Sequence, residues 1–161
     1  VFLCALFKRQ VDMTAFLWAL LGVAAGACIA IQAPINALLG RGLGMPVAAA
    51  CVSFLSGAII LAAVMFATAS FEGRAPDWRG PDLWLYVVGG ALGTIYVTTA
   101  IFLTPRIGAA AVMAFAVSGQ LLAGILLDRI GFLGMAVREI SVGRIAGALL
   151  LVAGALMIRF L

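Results

Sequence analysis

The sequence contains no histidine and only three cysteines among its 161 residues. Without histidine the chain cannot form a Ser-His-Asp triad, an HExxH zinc site or a histidine proton relay. It also has no GxxxxGK loop, so it does not bind ATP in that way. Cys4, Cys28 and Cys51 form no CxxC pair, and the last two lie in apolar runs, as is typical of small packing residues. We therefore expect no enzymatic activity, no bound metal and no cofactor.

Charged residues are scarce as well. They make up 10% of the chain, against 66% hydrophobic residues, and the mean hydropathy is +1.26. So much apolar surface does not fit into a soluble core, so the composition predicts an integral membrane protein whose surroundings are the lipid bilayer. The net charge of +4 lies in short loops, as the positive-inside rule describes. The sequence contains no helix rich in basic residues of the kind that binds in a groove of DNA, so we expect no nucleic-acid partner.

Five apolar runs are long enough to cross a bilayer, which takes about 20 helical residues. The predicted fold class is an all-α membrane protein with a single domain made of a bundle of five transmembrane helices. The predicted spans are residues 14–39, 46–68, 83–104, 108–127 and 141–160. Asp82 is expected to cap the third span, and Pro105 with Arg106 to link the third and fourth spans in a tight hairpin.

Residues 1–12 fit poorly with the rest of the chain, because an apolar heptad precedes Lys8 and Arg9. A secretory signal shows the opposite order. We expect this segment to be an N-terminal extension ahead of a native start at Met13, or else a short interfacial segment.

The basic residues predict the orientation. With five spans, one side carries seven of them and the other side three: Lys8, Arg9, Arg74, Arg79, Arg129, Arg138 and Arg144 against Arg41, Arg106 and Arg159. The positive-inside rule then places the N-terminus in the cytoplasm. If the chain starts at Met13, the bias falls to five against three. That weaker bias leaves an antiparallel, dual-topology pair open.

The first span contains a proline flanked by two amides. Pro34 has no N–H for the carbonyl of Ala30, which predicts a kink and a free acceptor. Such backbone is tolerated in a membrane where neighbouring helices, polar side chains or water satisfy it. Gln32 and Asn36 lie about 40° apart around this helix. They either line a substrate path or bind neighbouring helices through hydrogen bonds worth about 1 kcal/mol each.

Further polar side chains occur in the third and fourth spans. Asp128 ends the fourth span beside Arg129, so an interfacial ion pair is favoured over a role in coupling or gating. The candidates for a substrate path are Gln32, Pro34, Asn36, Tyr96, Thr98, Ser118, Gln120 and Asp128.

Small residues at helical spacing form a second set. In lipid, such residues let helix backbones approach closely, within one bundle or between two copies. The candidates for helix packing or dimer contact are Gly22, Gly26, Ser53, Gly57, Gly89, Gly93, Gly143, Gly147 and Gly154.

The order of several short motifs resembles the drug/metabolite transporter superfamily, most closely its short YdcZ-like members. The motifs are residues 32–36 (QAPIN), 89–96 (GGALGTIY), 105–110 (PRIGAA), 118–121 (SGQL), 127–131 (LDRIG) and 143–150 (GRIAGALL), followed by Gly154. The resemblance extends over residues 13–161.

This resemblance implies a multi-pass protein of the bacterial inner membrane, equal to one half of ten-helix relatives that contain two inverted repeats. A single repeat is then expected to pair, either as a homodimer, for which an antiparallel arrangement is open, or with a paralogous five-helix partner. Small multidrug exporters of the superfamily use a carboxylate in their first helix for proton coupling. This chain has no acidic residue between Asp12 and Glu72, so that mechanism is not expected here.

The leading functional hypothesis is a secondary transporter, an exporter of a small metabolite or drug-like solute by alternating access in a paired bundle. The identity of this small-molecule substrate is open. One alternative is a structural or accessory membrane subunit in which the amides only join helices. Another is a lipid flippase-like component.

Overall fold

The computed structural model describes residues 13–161, and the predicted extension over residues 1–12 lies outside them. The helices are α1 (Met13–Gly42), α2 (Pro46–Glu72), α3 (Leu85–Ile107), α4 (Ala109–Ile130) and α5 (Val142–Phe160), with a 3₁₀ turn at Phe132–Gly134. Within the described residues, five helices are long and apolar enough to cross a membrane, and no strand is present. The all-α membrane class is thus confirmed.

The chain divides between Gln32 and Ala33 into two compact units. The described part of the first unit is the beginning of α1, where residues 16–29 are all exposed. The second unit contains the end of α1 and the other four helices. Pro34 lies inside α1, whose helical backbone continues through it. The kink expected at Pro34 stays a prediction.

Helix packing in the second unit relies on small residues. The α4 and α5 helices make the most extensive contact, and α3 packs against both α2 and α4. The main buried cluster consists of Ala49 and Ala50 of α2 with Ile101 of α3, and the half-buried Leu39 and Val97 pack against it. Alanines at the contact let backbones approach closely, which favours helix association in lipid through van der Waals packing.

A single residue separates α3 from α4. Pro105 and Arg106, expected as the link, belong to the last turn of α3, and the chain reverses at Gly108. The short link is confirmed, but its predicted position is wrong. Gly108 has φ 82° and ψ 153°, a conformation that side chains with a Cβ rarely adopt. Its N–H donates to the carbonyl of Thr104 at 3.0 Å, which closes the helix.

The predicted cap of α3 is also wrong. The helix begins at Leu85, and no side chain caps it. Asp82 takes part through its backbone carbonyl, which accepts from the N–H of Leu85 at 3.1 Å. By contrast, Ser141 does cap α5, because its hydroxyl accepts from the N–H of Arg144 at 3.3 Å.

Candidate functional site

The candidate polar residues of the second unit lie at three depths along their helices. Tyr96 is the midpoint of α3, and Gln120 lies within one residue of the midpoint of α4. Asn36 belongs to the last quarter of α1, whereas Asp128 lies close to the C-terminal end of α4. At a rise of 1.5 Å per residue, Asp128 is about 12 Å from Gln120 along the axis. Within the second unit, the candidates at the middle of a helix are therefore those on α3 and α4.

Asn36 joins α1 to α2. Its side chain is only 5% exposed, and its Nδ2 donates to Oγ of Ser53 at 3.1 Å. Ser53 also accepts, at its carbonyl, from the hydroxyl of Ser56 at 3.0 Å. The substrate-path candidate Asn36 and the packing candidate Ser53 thus form one contact. Of the other two candidates on α1, Pro34 is exposed, and Gln32 is exposed as the last residue of the first unit.

A groove of about 450 Å³ runs between α2 and α3. Its walls are mostly apolar, with Phe54 and Leu55 among them, and its polar contributors include Cys51 and Thr98. Thr98 is half-buried, which agrees with a position between two helices. Across the same contact, a Cβ on Gly93 would lie 3.2 Å from the ring of Phe54. Gly93 therefore lies where α3 approaches the ring of Phe54 on α2, with little room for a side chain.

The two polar residues of α4 differ in their surroundings. Ser118 is buried, and its hydroxyl donates to the carbonyl of Ala114 at 2.8 Å. Gln120 is exposed and has no hydrogen bond to any residue of the second unit. Tyr96, at the equivalent depth on α3, is half-buried. Gln120 is thus an exposed polar group at the middle of α4, open to a ligand or partner.

Asp128 forms an ion pair that connects α4 with α5. Its Oδ2 accepts from Nη1 of Arg144 at 3.1 Å, and both side chains are about one-third exposed, 34% and 31%. Its backbone carbonyl accepts from the N–H of Arg138 at 2.9 Å. The sequence favoured an ion pair for Asp128, and one is present, but its partner is Arg144 and not the adjacent Arg129. Tertiary packing of two antiparallel neighbours decides this pairing.

The glycines of α5 do not form its buried contacts with the described part of the chain. A Cβ added at Gly147 or Gly154 meets nothing within 4 Å, and one at Gly143 meets only the nearby hydroxyl of Ser141. The buried residues of α5 are instead Ala148 and Ala155. Among the other packing candidates, Gly57 and Gly89 also have open space around them, while Gly22 and Gly26 are exposed in the first unit.

Sequence reasoning missed one contact of Arg106. Its guanidinium lies 3.4 Å from the ring centroid of Phe102 and donates to the carbonyl of that residue. The i, i+4 spacing of an aromatic and an arginine is the signal that predicts such a cation–π contact on a helix. No group of three or more histidine, cysteine or acidic residues within 13–161 is placed to hold a metal ion.

Comparisons with known proteins agree with this architecture. A model of the family described as "Putative inner membrane exporter, YdcZ" matches residues 17–157. The chain is also 26% identical to the inner membrane protein YdcZ of Escherichia coli (strain K12) over 136 residues, which cover 84% of this chain and 90% of that protein. No solved structure matches the chain significantly. The chain belongs to the YdcZ family of inner membrane exporters, as a multi-pass protein with five apolar helices.

Proposed function

We propose that the protein is a secondary transporter that exports a small metabolite or drug-like solute by alternating access between two paired copies. The observation that carries this proposal is the family match over residues 17–157, because the family is described as one of exporters. An exporter moves a solute and need not change it chemically, which suits a chain whose polar side chains near the middle of α3 and α4 are uncharged.

The polar groups support a path lined by neutral hydrogen-bonding side chains. Tyr96 and Gln120 both lie at the middle of their helices, where each residue is about 16 Å from either helix end. Polar side chains at the centre of a bilayer generally face a bundle interior or a water-filled cavity. Asp128, the carboxylate nearest this level on α4, is bound to Arg144 close to the helix end. Solute recognition then depends on hydrogen bonds.

The small core supports pairing. The ten buried hydrophobic residues of the second unit are mostly alanine, and none of the described side chains is both large and fully buried. Gly147 and Gly154 leave open space on the outer face of α5. A second copy placed on such a face gains the close backbone contact that stabilises helix pairs in lipid.

Orientation is part of the proposal, with the N-terminus in the cytoplasm as the basic residues predict. Trp78 follows α2, and Gly42 ends α1, so the two positions lie on opposite sides of the membrane if each helix crosses once. Reporter fusions at these positions should give opposite signals, with Trp78 cytoplasmic. A mixed signal at both would instead favour dual topology.

Flux measurements test the function directly. Purified protein in proteoliposomes is screened with a panel of neutral, cationic and zwitterionic solutes. Tyr96→Phe removes only the hydroxyl and should reduce export of the transported solute. Ile95→Ala, at a neighbouring residue that is 65% exposed, is the matched control and should leave export unchanged. Absence of flux for every solute with folded, paired protein would contradict the proposal.

One observation favours a second candidate, a structural or accessory subunit. The hydrogen bond between Asn36 and Ser53 is the helix-joining contact that this alternative expects. Co-purification of one stoichiometric larger membrane partner, together with no flux in vesicles, would support it over transport.

A further inference from the structure

Gln120 places an amide at the middle of α4, a helix long and apolar enough to cross a membrane, and its side chain is exposed. It is eleven residues from the first residue of α4 and ten from the last, so the ends of the helix are about 15 to 17 Å away. The hydrocarbon core is about 30 Å thick. The side chain is exposed and has no hydrogen bond to any residue within 33–161. Hydrocarbon offers it no partner either.

An amide without partners in hydrocarbon is unfavourable, because its two N–H donors and its carbonyl lose the hydrogen bonds that water would provide. In the assembled protein Gln120 therefore needs hydrogen-bonding groups, from a second chain or from water and solute along the proposed path. The nearest carboxylate on the same helix, that of Asp128, is already paired with Arg144. The missing partner has to supply both a donor and an acceptor at this depth.

We propose that this partner is Gln120 of a second copy of the chain, the two amides facing each other across a two-fold axis. An amide is self-complementary, since each one donates an N–H and accepts at its oxygen, as an isologous contact requires. Its central position adds a geometric reason. A residue at the middle of the helix meets its counterpart at the same depth whether the second copy runs parallel or antiparallel.

The helix surface around Gln120 fits this contact. Ala116 and Gly124 lie one turn before and one turn after it on the same face. A Cβ added at Gly124 meets nothing within 4 Å. Small residues on both sides of a polar one let a facing helix come close enough for the amides to bond. The second copy thereby contributes its Gln120 to the polar group at the middle of α4. A single chain supplies only one of the two amides.

The inference rests on the proposed function only for the role of this centre in transport. The contact itself is tested without a solute, in membranes. In a variant with alanine in place of the native cysteines, Gln120→Cys should form a disulfide-linked or short-bismaleimide-linked dimer. Leu122→Cys is the matched control, because Leu122 is 52% exposed and lies about 200° around the helix. It should yield severalfold less dimer.

Cross-linking at two further positions shows whether the second copy runs parallel or antiparallel to the first. Met113 and Leu127 lie seven residues to either side of Gln120 and within about 20° of it around the helix. In an antiparallel pair, Met113→Cys links to Leu127→Cys of a co-expressed copy, whereas two Met113→Cys copies are about 21 Å apart and do not link. In a parallel pair, Met113→Cys links to itself. Either pattern supports the contact.

Association strength provides an independent measurement. Gln120→Leu removes two interchain hydrogen bonds and should weaken dimerisation by roughly eight-fold in detergent dilution experiments, while the monomer stays helical. Equal cross-linking at 120 and 122, or none at 113, 120 and 127, would overturn the proposal. Strong cross-linking at 120 with no flux for any solute would leave the contact standing and contradict transport alone.

Discussion

The hydrogen bond between Asn36 and Ser53 allows transport and packing to be separated by one substitution. Asn36→Ala removes a donor that is 5% exposed and lies 3.1 Å from Oγ of Ser53. Side-chain hydrogen bonds between membrane helices average about 0.6 kcal/mol, with a maximum of about 1.7. We expect the bond to contribute about 0.6 kcal/mol to the free energy of unfolding.

A double-mutant cycle measures that value. Asn36→Ala, Ser53→Ala and the double variant are unfolded reversibly in mixed micelles and followed by circular dichroism. The coupling free energy between the two positions should be about 0.6 kcal/mol. Ser56→Ala is the control partner, because its hydroxyl binds the backbone of α2 and not Asn36. Its coupling to Asn36→Ala should be close to zero.

Flux and accessibility of the same residue complete the test. If Asn36 only packs, Asn36→Ala leaves flux unaffected and Asn36→Cys is protected from water-soluble thiol reagents on both sides. If the residue lines the path, flux collapses while stability barely changes, since a cavity-lining amide loses a ligand and not a structural partner. A coupling free energy near zero, together with unchanged flux, would refute both roles.

Three further predictions concern single residues. Gly147→Leu should weaken pairing in native mass spectrometry without unfolding the monomer, because the leucine fills the open face of α5. A spectrum of the unmodified chain that shows monomer alone would contradict the paired state. Gly108→Ala should destabilise the protein by about 1 to 3 kcal/mol, because the φ of Gly108 is 82°. The control Gly119→Ala lies in open space inside α4 and should not lower the free energy of unfolding. Equal shifts of the melting temperature for the two variants would refute this reasoning. Asp128→Asn should lower the free energy of unfolding by only about 0.5 kcal/mol, since the pair with Arg144 is one-third exposed. This loss should be smaller in high salt. A larger loss that does not depend on salt would argue against a surface ion pair.

The sequence by itself determined the class of the molecule. An apolar run of about 20 residues crosses a bilayer as a helix, because a helix pairs every backbone N–H and C=O within the segment. The five spans, the short link between α3 and α4 and the membrane location therefore follow from composition and order. The ordered glycine and proline motifs also identified the family before any contact was known, and the family match confirms it.

Local boundaries were less predictable because competing groups can satisfy the same backbone atoms. Asp82 was a plausible cap, yet α3 begins without a side-chain cap and uses a backbone carbonyl. The link between α3 and α4 lies at Gly108 and not at Pro105, because glycine readily adopts the positive φ that the reversal requires.

Only the tertiary structure decided which side chains meet. Periodicity places Gly143, Gly147 and Gly154 on one face of α5, but nothing in that pattern reveals that the chain buries Ala148 and Ala155 instead. Likewise, Asp128 has an arginine beside it in sequence and bonds to one sixteen residues away. The physical reason is that helix pairing in lipid depends on close shape fit between several faces of similar hydrophobicity. A sequence pattern describes each face alone, and the fit exists only once two faces are brought together.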